Sequence, residues 1–235
     1  MIRSFEQEYD VQVIHAWGMT ETSPLGTLNF LMPHLQELDY EAQMNTKLKQ
    51  GKTVFGIDIR IVDDENKLLP HDGKAFGKLQ TRGHWVTNGY YGEDSSVDAD
   101  GWFDTGDVAT IDSDGYMMIT DRTKDVIKSG GEWISSIEIE NIAVGHPSVV
   151  EAAVIAIEHP KWDERPLLVA VTQPDSKPDK DKLKEDLLGF IGERIAKWQI
   201  PNDVQFVDEL PHGATGKLNK LKLREDFKDY KFPGT

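Results

Sequence analysis

Apolar residues follow two different periods along the chain, and they predict a mixture of strands and helices. Residues 149–157 and 167–172 are β-branched apolar runs that predict paired strands, as does the shorter run 204–207. Residues 182–197 carry apolar side chains at a spacing of four and predict a helix. A further helix start is predicted at Ser135, because Ser135-x-x-Glu138 forms a capping box. The expected fold class is α+β.

The first half of the chain is richer in strand patterns. Residues 11–14 predict a buried strand that leads into a polar loop at Trp17. Helical character is expected at residues 4–9 and 35–48. Beyond these, short β-rich segments separated by turn residues predict a small, twisted, barrel-like antiparallel subdomain, and they comprise residues 58–62, 77–81 and 86–90.

The strongest local signal is a hairpin at Asp114-Gly115, which lies between the apolar runs 108–111 and 116–119. Asp107 precedes the first of these strands, so we expect its carboxylate at a strand edge. There it could accept two hydrogen bonds from a vicinal diol such as a ribose. A guanidinium at Arg122 would complement it.

The charge and composition of the chain argue against several classes of protein. The 235 residues contain 26 Lys and Arg against 41 Asp and Glu, a formal charge of -15, which disfavours binding to nucleic acid. The absence of Cys excludes a disulfide scaffold and is compatible with a cytoplasmic protein. The charged first ten residues do not form a secretory signal, and the apolar run 152–157 is far shorter than a membrane span of about 20 residues. We therefore expect no stable membrane insertion.

Three tempting motifs are rejected. Residues 96–107 and 110–121 imitate calcium loops, but each begins with a hydroxyl residue, ends with Asp, and has strand-like flanks where an EF-hand needs helices. Two Asp-Gly turns explain both stretches. The Gly-Lys at 216–217 imitates a P-loop, but Pro211 replaces the first glycine and Leu218 replaces the magnesium-binding Ser or Thr.

Four motifs occur in an informative order. They are WGMTE at 17–21, GWFDTGD at 101–107, DRTKDVIKSGGEWIS at 121–135 and HGATGK at 212–217. In this order and spacing they resemble the C-terminal part of adenylate-forming enzymes of the acyl-CoA synthetase type. Most members carry Tyr at the position of Trp17, and the departure resembles the medium- and long-chain fatty acyl branch.

The resemblance implies two domains. Residues 1–123 would be the remnant of the large adenylating domain, a sheet edge plus a small distorted β-barrel. Residues 124–235 would be the small C-terminal lid domain. Since family members usually carry several hundred residues before WGMTE, we expect the chain to be a fragment that is inactive alone.

The resemblance also implies roles for individual residues. In the first domain the implied ligands are ATP and Mg²⁺: Trp17 stacks on adenine with Gly18 among the nucleotide-binding residues, Thr20 contacts phosphate, Glu21 helps to hold magnesium, and Asp107 and Arg122 bind the ribose.

In the second domain the implied hinge is Lys124. Gly130 and Gly131 would lie against the pantetheine arm of CoA, and Lys128 would be a further cofactor-binding residue. Lys217 would contact the substrate carboxylate and the α-phosphate, so that the catalytic set is Lys217 with Thr20 and Glu21.

The implied reaction joins a carboxylic acid to Mg-ATP, giving acyl-AMP and pyrophosphate, and then transfers the acyl group to CoA. Two alternatives stay open at this stage. One is an adenylating enzyme that loads a carrier protein, and the other is a non-catalytic nucleotide-binding module. The sequence names neither the acid nor an oligomeric state.

Overall fold

A computed structural model describes residues 1–173, 179–214 and 216–234. These residues form two compact units, Met1–Thr123 and Lys124–Thr235. Both units mix helices with sheets, which confirms the predicted α+β class. The boundary lies at Lys124, and the hinge role of that residue stays a prediction.

The first unit contains three short helices and two antiparallel sheets. Its helices are α1 (Ile2–Tyr9), α2 (Pro33–Gln36) and α3 (Tyr40–Lys47). Its strands are β1 (Ala16–Gly18), β2 (Leu25–Leu28), β3 (Lys52–Thr53), β4 (Ile57–Val62), β5 (Phe76–Gly83), β6 (Phe103–Ile111) and β7 (Met117–Arg122). The sheets have the strand orders β1-β2-β3 and β4-β5-β6-β7.

The second sheet is open, so the predicted barrel is wrong. Closure would require β4 and β7 to pair, but β4 pairs in this sheet only with β5 and β7 only with β6. Residues 86–90, predicted as a strand, form an irregular connection with a single bridge from Gly89 to Ser95. β5 ends at Gly83, and a turn follows in which the Val86 N–H donates a hydrogen bond to the Gly83 carbonyl.

The predicted strand at residues 11–14 is also wrong. Strand pairing begins at Ala16, opposite Leu28, and the preceding residues have no assigned strand. Val11 and Ile14 are 47% and 42% exposed, so this run is not buried within the described residues. An apolar run becomes a strand only where a neighbouring strand supplies hydrogen bonds.

The predicted hairpin is confirmed. β6 and β7 pair in antiparallel register, and the Asp112 side chain closes their turn by accepting hydrogen bonds from the N–H groups of Asp114 and Tyr116. Gly115 has φ of 85°, a conformation that glycine adopts without a steric cost. β6 begins at Phe103, earlier than predicted, so Asp107 lies within the strand instead of before it.

The described residues of the second unit form a five-stranded sheet covered on both faces. Its strands are β8 (Ile127–Ser129), β9 (Glu132–Ile134), β10 (Val149–His159), β11 (Asp163–Thr172) and β12 (Asp203–Val207), and its helices are α4 (Ser136–Val144), α5 (Lys180–Gly192) and α6 (Lys220–Asp226). The order is β10-β11-β8-β9, with β12 parallel to β11.

Alternating side chains of β10 enter two hydrophobic cores in this unit. Val154 packs in the core that contains Leu187 of α5, whereas Ile155 packs in the core that contains Leu223 of α6. This is the period of two expected for a strand buried on both faces. The α5 helix ends at Gly192, five residues before the predicted end at 197.

Helix α4 begins as its sequence predicts. The Ser135 hydroxyl accepts a hydrogen bond from the Glu138 N–H at 3.1 Å, as an N-cap should. Throughout the residues the structure covers, no helix combines the length and the apolar composition that a membrane span requires.

Candidate functional site

Trp17 lies in β1 and is only 8% exposed, so the structure places it in a core rather than in an open loop. It packs in the cluster that contains Ile61 and Met117. Gly26 makes room for the indole, because a Cβ there would lie 2.3 Å from the ring. The indole N–H donates a hydrogen bond to Asp107 Oδ2 at 3.0 Å. Its role toward adenine stays a prediction.

Asp107 and Arg122 occupy directly opposite positions on β6 and β7. Arg122 Nε lies 3.7 Å from Asp107 Oδ1, and the side chains of Arg122 and Asp107 are 59% and 16% exposed. Burial raises the pKa of the Asp107 carboxyl, while the Trp17 hydrogen bond and the Arg122 charge partly oppose the rise. The site thus presents a fixed carboxylate beside an accessible guanidinium, which suits a diol linked to an anionic group.

Thr20 and Glu21 lie on one short 3-10 turn, Thr20–Thr22, directly after β1. The buried Thr22 hydroxyl fixes this turn by donating to the Pro24 carbonyl at 2.7 Å. Gly18 permits the tight path, because a Cβ at this position would lie 1.8 Å from the Pro24 oxygen. Thr20 is exposed and Glu21 half-buried, so both side chains are accessible.

Tyr90 contacts Glu21, although no sequence pattern indicated this contact. Its hydroxyl donates a hydrogen bond to Glu21 Oε1 at 2.7 Å, across 69 residues of sequence. Tyr90 lies in the irregular connection between β5 and β6, where neither period nor capping pattern indicated a role.

Glu21 fits the kind of group that binds magnesium. No cluster of three or more His, Cys, Asp or Glu that could hold a metal occurs in the described ranges. Mg²⁺, however, is usually held by one or two carboxylates together with substrate phosphates. The accessible carboxylate of Glu21, beside the hydroxyl of Thr20, meets that requirement.

In the second unit, Gly130 and Gly131 form the turn between β8 and β9, with φ of 61° and 87°. Gly130 N–H bonds to the Trp162 carbonyl at 2.9 Å, and a Cβ on Gly130 would meet the Trp162 ring at 2.9 Å. Ser129, Gly130, Trp162, Arg165 and Trp198 are among the residues that line a cavity of about 320 Å³ beside this turn. The hairpin therefore has an adjoining recess.

Two charged side chains border the same region. Arg165 donates to four neutral acceptors: Ser129 Oγ, Asn202 Oδ1 and the carbonyls of Trp198 and Ile200. Lys128 places its ammonium 5.1 Å from the centre of the Trp133 ring. The Lys128 backbone N–H donates a hydrogen bond to the Glu164 carboxylate. Desolvation lowers the pKa of Arg165 below its ordinary value.

Lys217 lies in a small loop with a fixed base. Gly213 N–H bonds to the Lys217 carbonyl at 2.8 Å, and a bridge joins His212 to Leu218. The Lys217 residue is exposed, and its ammonium makes no hydrogen bond or ion pair with any described residue. Thr215 of the HGATGK motif lies outside the described residues.

The backbone of Lys124 is contacted by Arg224 of α6. The Arg224 guanidinium donates to the Lys124 carbonyl at 2.9 Å and pairs with the Asp125 carboxylate.

Among the predicted site residues of the first unit, the structure brings Trp17, Asp107 and Arg122 into direct contact. It places Thr20 and Glu21 together on the 3-10 turn that follows β1.

Comparison with known proteins decides the family. Residues 1–91 match the family described as AMP-binding enzyme, and residues 138–217 match the AMP-binding enzyme C-terminal domain. The chain belongs to the AMP-binding enzyme family.

Several AMP-binding enzymes are similar to the chain over nearly all of it. The 3-methylmercaptopropionyl-CoA ligase of Ruegeria lacuscaerulensis is 54% identical over 230 residues, which are 97% of this chain and 42% of that protein. The medium-chain-fatty-acid–CoA ligase of Ectopseudomonas oleovorans is 50% identical, with 97% of this chain and 41% of that protein covered. ATP-bound MatB from Rhodopseudomonas palustris has a TM-score of 0.79 at 31% identity, covering 98% of this chain and 44% of that one. The chain thus spans about 42% of the length of the curated relatives it matches.

Proposed function

We propose that this chain belongs to an ATP-dependent acyl-CoA ligase. The complete protein is this chain together with whatever its gene encodes on either side of it. The observation that carries the proposal is the contact of Asp107 with Trp17, which is 90 residues away in sequence, and with Arg122 on the neighbouring strand. The names of the similar proteins support the same reaction class.

The nucleotide is proposed to bind through its ribose at Asp107. Trp17 holds one carboxylate oxygen, so the side chain is oriented before a ligand arrives. A pre-oriented acceptor costs less ordering entropy on binding than a mobile one. The exposed Arg122 guanidinium supplies the complementary donors, and adenine is proposed to contact the Trp17–Gly18 segment.

The phosphates are proposed to lie near the 3-10 turn. Thr20 would donate its hydroxyl to a phosphate oxygen, and Glu21 would hold the Mg²⁺ that accompanies ATP. When bound, magnesium neutralises phosphate charge and favours loss of pyrophosphate. The chain's own contribution is to hold both side chains on one rigid turn.

The second unit is proposed to supply groups to each half-reaction in turn. Lys217 would stabilise charge that develops between the carboxylate and the α-phosphate as the acyl-AMP bond forms and pyrophosphate leaves. A rotation about Lys124 would then bring Gly130, Gly131 and Lys128 to CoA, whose thiol attacks the acyl carbonyl and displaces AMP. The cavity beside Gly130 offers room for part of the CoA arm.

The substrate is proposed to be a fatty acid or a similar carboxylate. Residues 1–123 would be the end of the large adenylating domain and residues 124–235 the small lid domain, in a cytoplasmic enzyme. The chain alone would then lack the parts that complete the acyl and pyrophosphate sites.

The test is acid-dependent release of AMP by the complete protein. With ATP, Mg²⁺, CoA and a panel of short-, medium- and long-chain acids, we expect AMP and acyl-CoA to form in equal amounts. The isolated chain should show no ATP–pyrophosphate exchange. Robust exchange by the isolated chain, or no acid-dependent AMP from the complete protein, would contradict the proposal.

A further inference from the structure

The contact between Tyr90 and Glu21 links the connection between β5 and β6 to the 3-10 turn. Both side chains are accessible, and neither belongs to a hydrophobic core. The Tyr90 hydroxyl donates to Glu21 Oε1 at 2.7 Å, a short charge-assisted hydrogen bond. No other described side chain hydrogen-bonds to the Glu21 carboxylate, so Oε2 is available to a ligand.

The backbone on both sides of this contact is fixed. Thr87 N–H bonds to the Glu21 carbonyl at 2.9 Å, and the Trp85 indole donates to the Leu25 carbonyl at 3.3 Å. The Thr87 hydroxyl donates to the Gly89 carbonyl at 2.9 Å, one residue before Tyr90. The connection between β5 and β6 therefore holds Tyr90 against the 3-10 turn that carries Glu21.

We propose that Tyr90 is a positioning residue for metal-nucleotide binding, because its hydroxyl fixes Glu21 Oε1 and leaves Oε2 available to a divalent cation. This inference rests on the proposed function, in which Glu21 holds the cation that accompanies ATP. The cation would be a hard, oxygen-liganded ion such as Mg²⁺ or Mn²⁺. Glutamate loses considerable rotamer freedom when it is ordered, so a partner that orders it beforehand strengthens binding.

The neighbouring residue provides a matched control. Tyr91 is also a tyrosine, is fully exposed at 106%, and makes no hydrogen bond with a described residue. Tyr90→Phe and Tyr91→Phe each remove one hydroxyl and leave the ring. Only the first removes a contact with Glu21.

The experiment measures Mn²⁺ binding to the complete protein in the presence of ATP, without acid or CoA, by the electron paramagnetic resonance signal of free Mn²⁺. We expect Tyr90→Phe to raise the Mn²⁺ dissociation constant about two- to tenfold, the range for the cost of ordering one flexible side chain. Tyr91→Phe should bind as the unchanged protein does. Glu21→Gln should weaken binding at least as much as Tyr90→Phe.

A double variant makes the inference specific. If Tyr90 acts through Glu21, Tyr90→Phe should weaken binding no further in the Glu21→Gln background. Additive effects, or wild-type binding by Tyr90→Phe with Glu21→Gln impaired, would overturn the role of Tyr90 alone. Unchanged binding by Glu21→Gln would instead overturn the metal role given to Glu21 and the inference with it. Circular dichroism and the melting temperature of each variant establish that it is folded.

Discussion

The two units of the chain present their candidate residues in different ways. In residues 1–123, Asp107 is partly buried, bonded to Trp17 and paired with Arg122. In residues 124–235, Lys217 is exposed on a loop and has no side-chain partner among the described residues, and Gly131 lies in an open turn where an added Cβ would meet no described atom within 4 Å. The first unit fixes its central carboxylate through other side chains, whereas the second leaves Lys217 and Gly131 accessible.

This difference indicates which side chains are already positioned before a ligand binds. A buried carboxylate needs partners to offset its desolvation, so Trp17 and Arg122 also serve the stability of the empty protein. An exposed ammonium needs none, and it gains its interaction energy only when charge develops next to it. We therefore expect variants of the first unit to change binding and variants of the second to change rates.

The largest expected effect tests the rate side of this comparison. Lys217→Ala should slow adenylation in the complete protein by about 10²- to 10³-fold, the loss typical of one donor to a developing charge. Thioester formation from supplied acyl-AMP should persist. Lys231→Ala, which removes another exposed lysine of the same unit, is the control. Equal losses in both half-reactions would show that Lys217 is structural.

The next effect tests the binding side. Asp107→Ala should weaken ATP binding by about 1.5 to 3 kcal/mol, the range for hydrogen bonds to a charged group. Isothermal titration with ATP measures it. Asp94→Ala removes the same charge from an exposed site of the same unit and should leave affinity near normal. Unchanged affinity in Asp107→Ala would exclude the proposed ribose contact.

A smaller effect separates the two half-reactions at the glycine turn. Gly131→Asn should slow thioester formation by about tenfold through obstruction of the CoA arm, while pyrophosphate exchange stays near normal. Asn is chosen because it tolerates the left-handed conformation that φ of 87° requires. Gly92→Asn, at another open position with φ of 79°, controls for the backbone cost. Impaired exchange in Gly131→Asn would contradict the assignment.

The smallest effect concerns pH. Ribose hydroxyls donate to an ionised Asp107, so ATP affinity should fall as pH falls through the pKa of Asp107. Burial places that pKa above the ordinary aspartate value. Because the Trp17 N–H stabilises the charged form, Trp17→Phe should raise the pKa further and move the loss of affinity to higher pH.

ATP titrations across acidic pH values measure the midpoint for Trp17→Phe, with Trp102→Phe as a control for loss of an indole from the same unit. We expect affinity above the midpoint to change only by about fivefold, the effect of one hydrogen bond. A midpoint that stays unchanged or moves to lower pH would show that Trp17 does not tune Asp107.

The sequence alone determined the features that depend on neighbours a few residues apart. The turn at Asp114-Gly115 and the cap at Ser135 are held by side-chain bonds to backbone groups two to four residues away. The apolar periods of β10 and α5 were readable because each lies on one continuous, buried element. Trp17, Asp107 and Arg122 were identified from the sequence because the motifs that contain them can be recognised without knowledge of the fold.

Only the tertiary structure decided which distant residues meet. Trp17 and Asp107 are 90 residues apart, and the bond that makes Trp17 a buried partner of the carboxylate follows from the packing of β1 near β6. Tyr90 reaches Glu21 because hydrogen bonds hold an irregular connection against a 3-10 turn. Residues 11–14 and 86–90 failed as strands because a strand exists only with a partner, and partner choice depends on the chain as a whole.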